Sequence, residues 1–143
     1  MNKNKIFDLF DDSPEAKKQA REQKNSLKEF KNSSYHKLGM FTKLIVNHFV
    51  FHSKLEKFLK KEEPNYNVES TKEASEYTVY YRAWHYIKGI DVNKNEDIDA
   101  IVNFNPLTFN KTLDGALNFF ESYEEYEKCA VLKKYLDFLN FSS

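Results

Sequence analysis

Two histidines stand closest to a metal-binding pattern in this sequence. His48 and His52 are four residues apart, so on a helix they share a face and chelate a metal if a third ligand arrives from elsewhere. No third ligand is evident at a matching spacing. Both fall within an apolar arc, which favours partly buried, hydrogen-bonded histidines. Asp91-Val92-Asn93-Lys94-Asn95-Glu96-Asp97-Ile98 places oxygen ligands at the first, third, fifth and seventh positions of a calcium loop and an aliphatic residue at the eighth. The pattern then fails, because Glu96 replaces the turn glycine and Val102 replaces the bidentate glutamate. The plainer reading is a polar turn with Asn95 as a helix cap. His36, His85 and Cys129 add no ligand spacing, and no phosphate loop, nucleophile elbow or catalytic carboxylate pair is present. The sequence therefore offers no catalytic residue, no metal set and no cofactor motif.

Binding chemistry has more support. Lys17, Arg21, Lys24, Lys28 and Lys31 follow i, i+4, i+7, i+11, i+14 spacing, which stacks five cations on one helical face. Like charges so placed repel, and phosphates or an acidic protein surface relieve them; a solvated face is the alternative. Tyr77, Tyr80, Tyr81, Trp84 and Tyr86 crowd one segment beside Arg82, where exposed rings stack bases and buried rings pack a core. Core packing is the expectation. Near the N-terminus, Phe7, Leu9 and Phe10 in Ile6-Phe7-Asp8-Leu9-Phe10 form a short segment suited to a partner's groove or to the protein's own core. Its last three residues resemble the tail of the bacterial sliding-clamp-binding pentapeptide, without the leading glutamine.

The elements that position these groups read as helices. Pro14 after Ser13 opens a helix to about Asn32, with Ala16, Ala20, Leu27 and Phe30 along an apolar face. A second runs from about Met40, after Gly39, to Lys61. On it Lys43, Asn47, Lys54, Lys57 and Lys61 occupy one arc, opposite Phe41, Leu44, Ile45, Phe51, Leu55, Phe58 and Leu59. The alternation at Phe49-Val50-Phe51 leaves a strand open there. Residues 62–69 read as the main linker. Ser70-Thr71-Lys72-Glu73 has capping-box spacing and opens a helix carrying Ala74, Tyr77, Tyr81, Trp84 and Lys88, closed by Gly89. Residues 91–104 are a short helix from near Asn95 or an irregular connection. Pro106 starts another helix through Leu113, Leu117 and Phe120. Ser122-Tyr123-Glu124-Glu125 gives a second capping box for a final helix with Tyr126, Cys129, Leu132, Leu136 and Leu139 on its seam.

The expected fold is an all-α bundle of about five helices ending in a helical hairpin, with a minor β element allowed, in a single domain over 1–143. Aromatics make up 16% of the chain, enough large rings to fill such a core. Formal charge sums to +0, yet residues 1–61 carry fourteen Lys/Arg against seven Asp/Glu and residues 62–143 carry eight against fifteen. The halves are about +7 and −7, which makes an antiparallel homodimer one way of pairing them. One cysteine forms no internal disulfide, and no continuous apolar span appears, so a cytoplasmic protein without membrane association is expected.

Glu125-Tyr126-Glu127-Lys128-Cys129-Ala130-Val131-Leu132-Lys133-Lys134-Tyr135-Leu136 resembles the second half of the UVR motif, the helical hairpin through which excinuclease subunits B and C meet. The likeness covers about the last 27 residues, with Leu117 and Phe120 in the first helix. Cys129 stands where a small alanine is usual, and the Lys133-Lys134 pair replaces an Arg-Asp pair. The resemblance implies a hairpin docking helix against helix and no enzyme. The same residues are similar to half of a TPR unit, but no second copy occurs. The expected function is that of a non-enzymatic adaptor or inhibitor binding a protein or nucleoprotein complex, including the kind that mobile elements use against nucleic-acid-targeting defence. Direct RNA or DNA binding through residues 14–32 is the first rival, and a metal-dependent enzyme built on His48 and His52 the second.

Overall fold

The computed structural model describes residues 13–142. Among them are six helices: α1 (Pro14–Lys31), α2 (Ser34–Glu62), α3 (Val68–Ile87), α4 (Asn95–Asn103), α5 (Pro106–Ser122) and α6 (Tyr126–Ser142). No strand occurs among the described residues, so the fold is all-α. The segment 91–104 holds α4, and Phe49-Val50-Phe51 lies inside α2 where a strand had been allowed. The described residues divide into two compact units between Ser33 and Ser34.

Helix starts that rest on local chemistry form where they are expected. The Ser13 hydroxyl accepts from Ala16 N at 3.1 Å and Asn105 Oδ1 accepts from Thr108 N at 3.3 Å, each with proline in the first turn. Two other starts move. α2 begins at Ser34 rather than near Met40 and runs through Gly39, because Leu38 and Phe41 are fully buried on either side of it. Burying two such side chains contributes roughly 1.5–3 kcal/mol each, against about 1 kcal/mol lost to a mid-helix glycine. α3 begins two residues ahead of Ser70, capped by Asn67, so Ser70-Thr71-Lys72-Glu73 is no capping box.

The ends of α3 and α5 also depart from expectation. Gly89 keeps an ordinary backbone rather than the left-handed one of a helix stop. The buried end of α3 is met instead by a distant side chain: the Tyr135 hydroxyl lies 2.9 Å from the Ile87 carbonyl and 2.8 Å from that of Ile90, and shares its one proton between them. Ser122 is the last residue of α5, not the cap of the final helix. The chain leaves α5 through a Schellman turn. Glu125 N donates to Phe120 O at 2.9 Å, Glu124 N donates to Glu121 O at 3.0 Å, and Glu124 takes φ 59°. The backbone reversal, with its side chains far from the tip also paired (Asn110 to Asn140, 3.0 Å), makes α5 and α6 an antiparallel hairpin.

Within residues 34–142 the core is aromatic and continuous. α2 and α3 pair antiparallel, His36 facing Tyr86 and Phe49 facing Tyr80, so the linker expected at 62–69 shortens to residues 63–67, the turn of a helical hairpin. Ile45, Ile87, Ile101, Phe109, Phe120 and Leu132 are buried to within 1% between these pairs and α4. Asp97 pins α4: its carboxylate accepts from Ser34 Oγ at the start of α2 and from Asp91 N at 2.8 Å.

Candidate anionic-partner interface

The strongest candidate for a functional surface is α1, taken by itself. Only four of its eighteen residues are aliphatic or aromatic, which leaves little to bury, and no residue of the helix is buried. At 100° per residue the five cations Lys17, Arg21, Lys24, Lys28 and Lys31 fall within an arc of about 80° and along a rise of about 21 Å. None of the five takes part in an ion pair among the described residues; the pairs present are Lys60–Glu56, Lys72–Glu76 and Lys128–Glu125. About a quarter-turn away runs the apolar line of Ala16, Ala20, Leu27 and Phe30, in which Leu27 is 53% and Phe30 57% exposed. Glu15, Glu22 and Glu29, seven apart, form a separate acidic line on the far side.

The electrostatics favour an external anion. Unit charges about 6 Å apart in water repel by about 0.7 kcal/mol, too little to melt a helix held by Ser13 and Pro14 at its start. Lys28 and Lys31 also sit in the last turn, where the helix dipole favours cations. The stripe is thus stable in solvent, and its mutual repulsion is relieved when anionic groups line up along it. An apolar line beside a cationic one lets a protein surface add Leu27 and Phe30 to the charge contacts. Phe7, Leu9 and Phe10 lie outside the described residues.

The other candidates separate clearly. His48 and His52 do share a face, with ring centroids 4.4 Å apart and both rings buried. The expected hydrogen bonds are missing at His48 Nε2 and His52 Nδ1, which have no partner among the described residues. Burial first, then His52 and Lys72, hold the His48 ring below its ordinary pKa. The Lys72 charge opposes a cation there, and no group of three or more His, Cys, Asp or Glu among the described residues is placed to hold a metal ion. Asp91 and Asp97 are spent on the turn itself, Asp91 Oδ1 accepting from Asn93 N at 2.9 Å. α4 starts at Asn95 after Lys94, so Asn95 is its first residue and not its cap. The Cys129 thiol is buried 3.9 Å from the Leu117 carbonyl, and burial followed by Glu121 pushes its pKa up, away from a reactive thiolate.

The tyrosine-rich helix packs as expected, with one exception. Tyr80 is buried and stacks on Phe119 at 4.3 Å and 13°, and burial raises its hydroxyl to about 12. Tyr81 and Trp84 are half-buried against Phe120, and Tyr86 meets His36 edge-on. The fully buried line of α3 is Tyr80, Ala83 and Ile87, one step round from the line through Tyr77, Tyr81 and Trp84. Tyr77 keeps an open face beside Tyr123, with centroids 5.5 Å apart. On α6, Tyr126 is exposed where the seam was expected to include it, and Tyr135 is buried in its stead. Phe51 and Phe58 are exposed as well, about 110° round α2 from its buried line. No helix among the described residues is long and apolar enough to cross a membrane. In comparisons with known proteins, no family model, no curated protein and no solved structure matches the chain.

Proposed function

We propose that this is a non-enzymatic interaction protein, an adaptor or inhibitor in the cytoplasm, whose α1 docks on the anionic surface of a protein or nucleoprotein complex. The observation that carries this reading is a helix of eighteen residues with none buried, bearing five cations that no ion pair among the described residues neutralises. The likeness of residues 125–136 to the UVR hairpin supports the same class, since that motif works by helix-to-helix docking. Small inhibitors that mobile elements direct against nucleic-acid-targeting defence complexes belong to this class.

The test is a tagged pull-down from the host, with and without nuclease, comparing the natural chain with one in which Lys17, Arg21, Lys24, Lys28 and Lys31 are changed to Glu. One protein retained after nuclease and lost on charge reversal supports the reading; equal recovery by both chains refutes it. The same stripe also favours direct nucleic-acid binding. Five phosphate contacts on duplex DNA predict that log K falls with log salt at a slope of about −4 to −5, with nuclease-sensitive recovery and no protein partner.

A further inference from the structure

Three aromatic rings close around one lysine on the other unit. Lys128, in the first turn of α6, holds its ammonium 5.3 Å from the centroid of Tyr81, 5.6 Å from Trp84 and 5.9 Å from Phe120. The rings stand as walls and not as a stack: Tyr81 meets Phe120 at 81° and Trp84 meets Phe120 at 68°. Glu125 closes a further side, with Oε2 at 2.6 Å from Lys128 Nζ, while the Tyr81 hydroxyl donates to its other oxygen. Lys128 first and Tyr81 second hold the Glu125 carboxyl below its ordinary pKa, so the box carries a fixed negative charge.

The negative faces of three rings and a carboxylate form a receptacle for a compact cation. A residue needed there only to fill space would serve as well uncharged, because a part-buried ion pair gives back in desolvation much of what it gains. Charge makes the occupant exchangeable: another cation of matching size competes with Nζ for the same faces. A quaternary ammonium competes well, since it is less tightly hydrated than a primary one and has no N–H left in need of a hydrogen bond, and each N-methyl group moves an ammonium toward that limit. Lys128 also has somewhere to go. Beside the box lies an open groove of about 400 Å³ lined by Glu124, Glu125, Tyr126, Glu127 and Lys128 itself, whose carboxylates receive a displaced ammonium.

We propose that the box formed by Tyr81, Trp84, Phe120 and Glu125 is a binding site for quaternary or N-methylated ammonium groups, and that Lys128 is its internal occupant, swinging into the acidic groove when such a ligand enters. The site is independent of α1 and of the function assigned to it.

Trp84 is the one tryptophan of the chain, so its fluorescence reports on the box alone. Tetramethylammonium chloride is titrated into the intact protein, into Lys128→Ala, and into Lys128→Ala combined with Glu125→Gln, each against sodium chloride at equal ionic strength. The expected result is saturable quenching in Lys128→Ala at least about tenfold tighter than in the intact chain, where a tethered competitor acts at an effective concentration on the order of millimolar. Adding Glu125→Gln weakens that binding by about tenfold or more. A linear response equal to that of sodium chloride, or saturation indifferent to Glu125→Gln, overturns the proposal. If Lys128→Ala loses its helical circular dichroism, the intact protein decides: acylation of the Lys128 amine, followed by mass spectrometry, is expected to accelerate about threefold or more with tetramethylammonium as Lys128 leaves the box. An unchanged acylation rate overturns it.

Discussion

His48 is a buried base with no hydrogen bond at Nε2 among the described residues, pressed against a second imidazole and near the Lys72 charge. Its pKa in the fold lies below the ordinary 6.5, so the unfolded chain binds the proton more readily than the folded one. Stability on this account is complete above about 6.5, declines as pH falls through that value, and levels off only below the lowered pKa. Thermal melts at pH 7.5 and 5.5 are expected to show a loss at the lower pH that shrinks in His48→Leu; an undiminished loss places the acid sensitivity elsewhere. Tyr135 works in the opposite sense, as a satisfied group. Burial, then Asp97 and Asp91, push its hydroxyl above the ordinary range, which keeps it a donor at every physiological pH. Tyr135→Phe leaves the Ile87 and Ile90 carbonyls without this partner and is expected to lower unfolding free energy by about 1–3 kcal/mol in urea titrations.

At the scale of elements, the Schellman turn between α5 and α6 carries a glutamate where glycine is the natural choice. Holding Glu124 at φ 59° opposes the steric preference of a residue with a Cβ. Glu124→Gly is therefore expected to stabilise the hairpin by about 0.5–1 kcal/mol, read as a raised midpoint in denaturant; a lowered midpoint would mean that the Glu124 side chain contributes more than its backbone strain costs. For α1 the expectation is a separation of roles: Leu27→Ala and Phe30→Ala alter folding by only about 0.5 kcal/mol, as surface changes do, while weakening recovery of the partner. What the sequence reveals about these elements depends on range. Ser13-Pro14 and Asn105-Pro106 announce their helices because acceptor and proline act within one turn. Gly39 and the two capping-box patterns mislead, because the burial of Leu38 and Phe41, the cap at Asn67 and the reversal at Glu124 decide those boundaries instead. The stripe on α1 is legible from spacing alone, whereas the box around Lys128 is not: Tyr81 and Glu125 are 44 residues apart, and no local period joins them.

For the whole molecule, opposite charge on the two halves of the sequence bears on self-association. Pairing of the halves between copies predicts a scattering mass near twice 17.0 kDa at low ionic strength that falls to 17.0 kDa as salt screens the attraction. A mass of 17.0 kDa at every ionic strength leaves the stripe on α1 to a different partner. The clamp made by Tyr135 has a consequence of another kind, in time. Its hydroxyl reaches back 48 residues to the Ile87 carbonyl. On a ribosome adding roughly 5–20 residues per second, the end of α3 is made about 2–10 s before the side chain that satisfies it. Over that interval neither carbonyl has Tyr135 to serve it, so closure of the bundle around the end of α3 waits on the synthesis of α6.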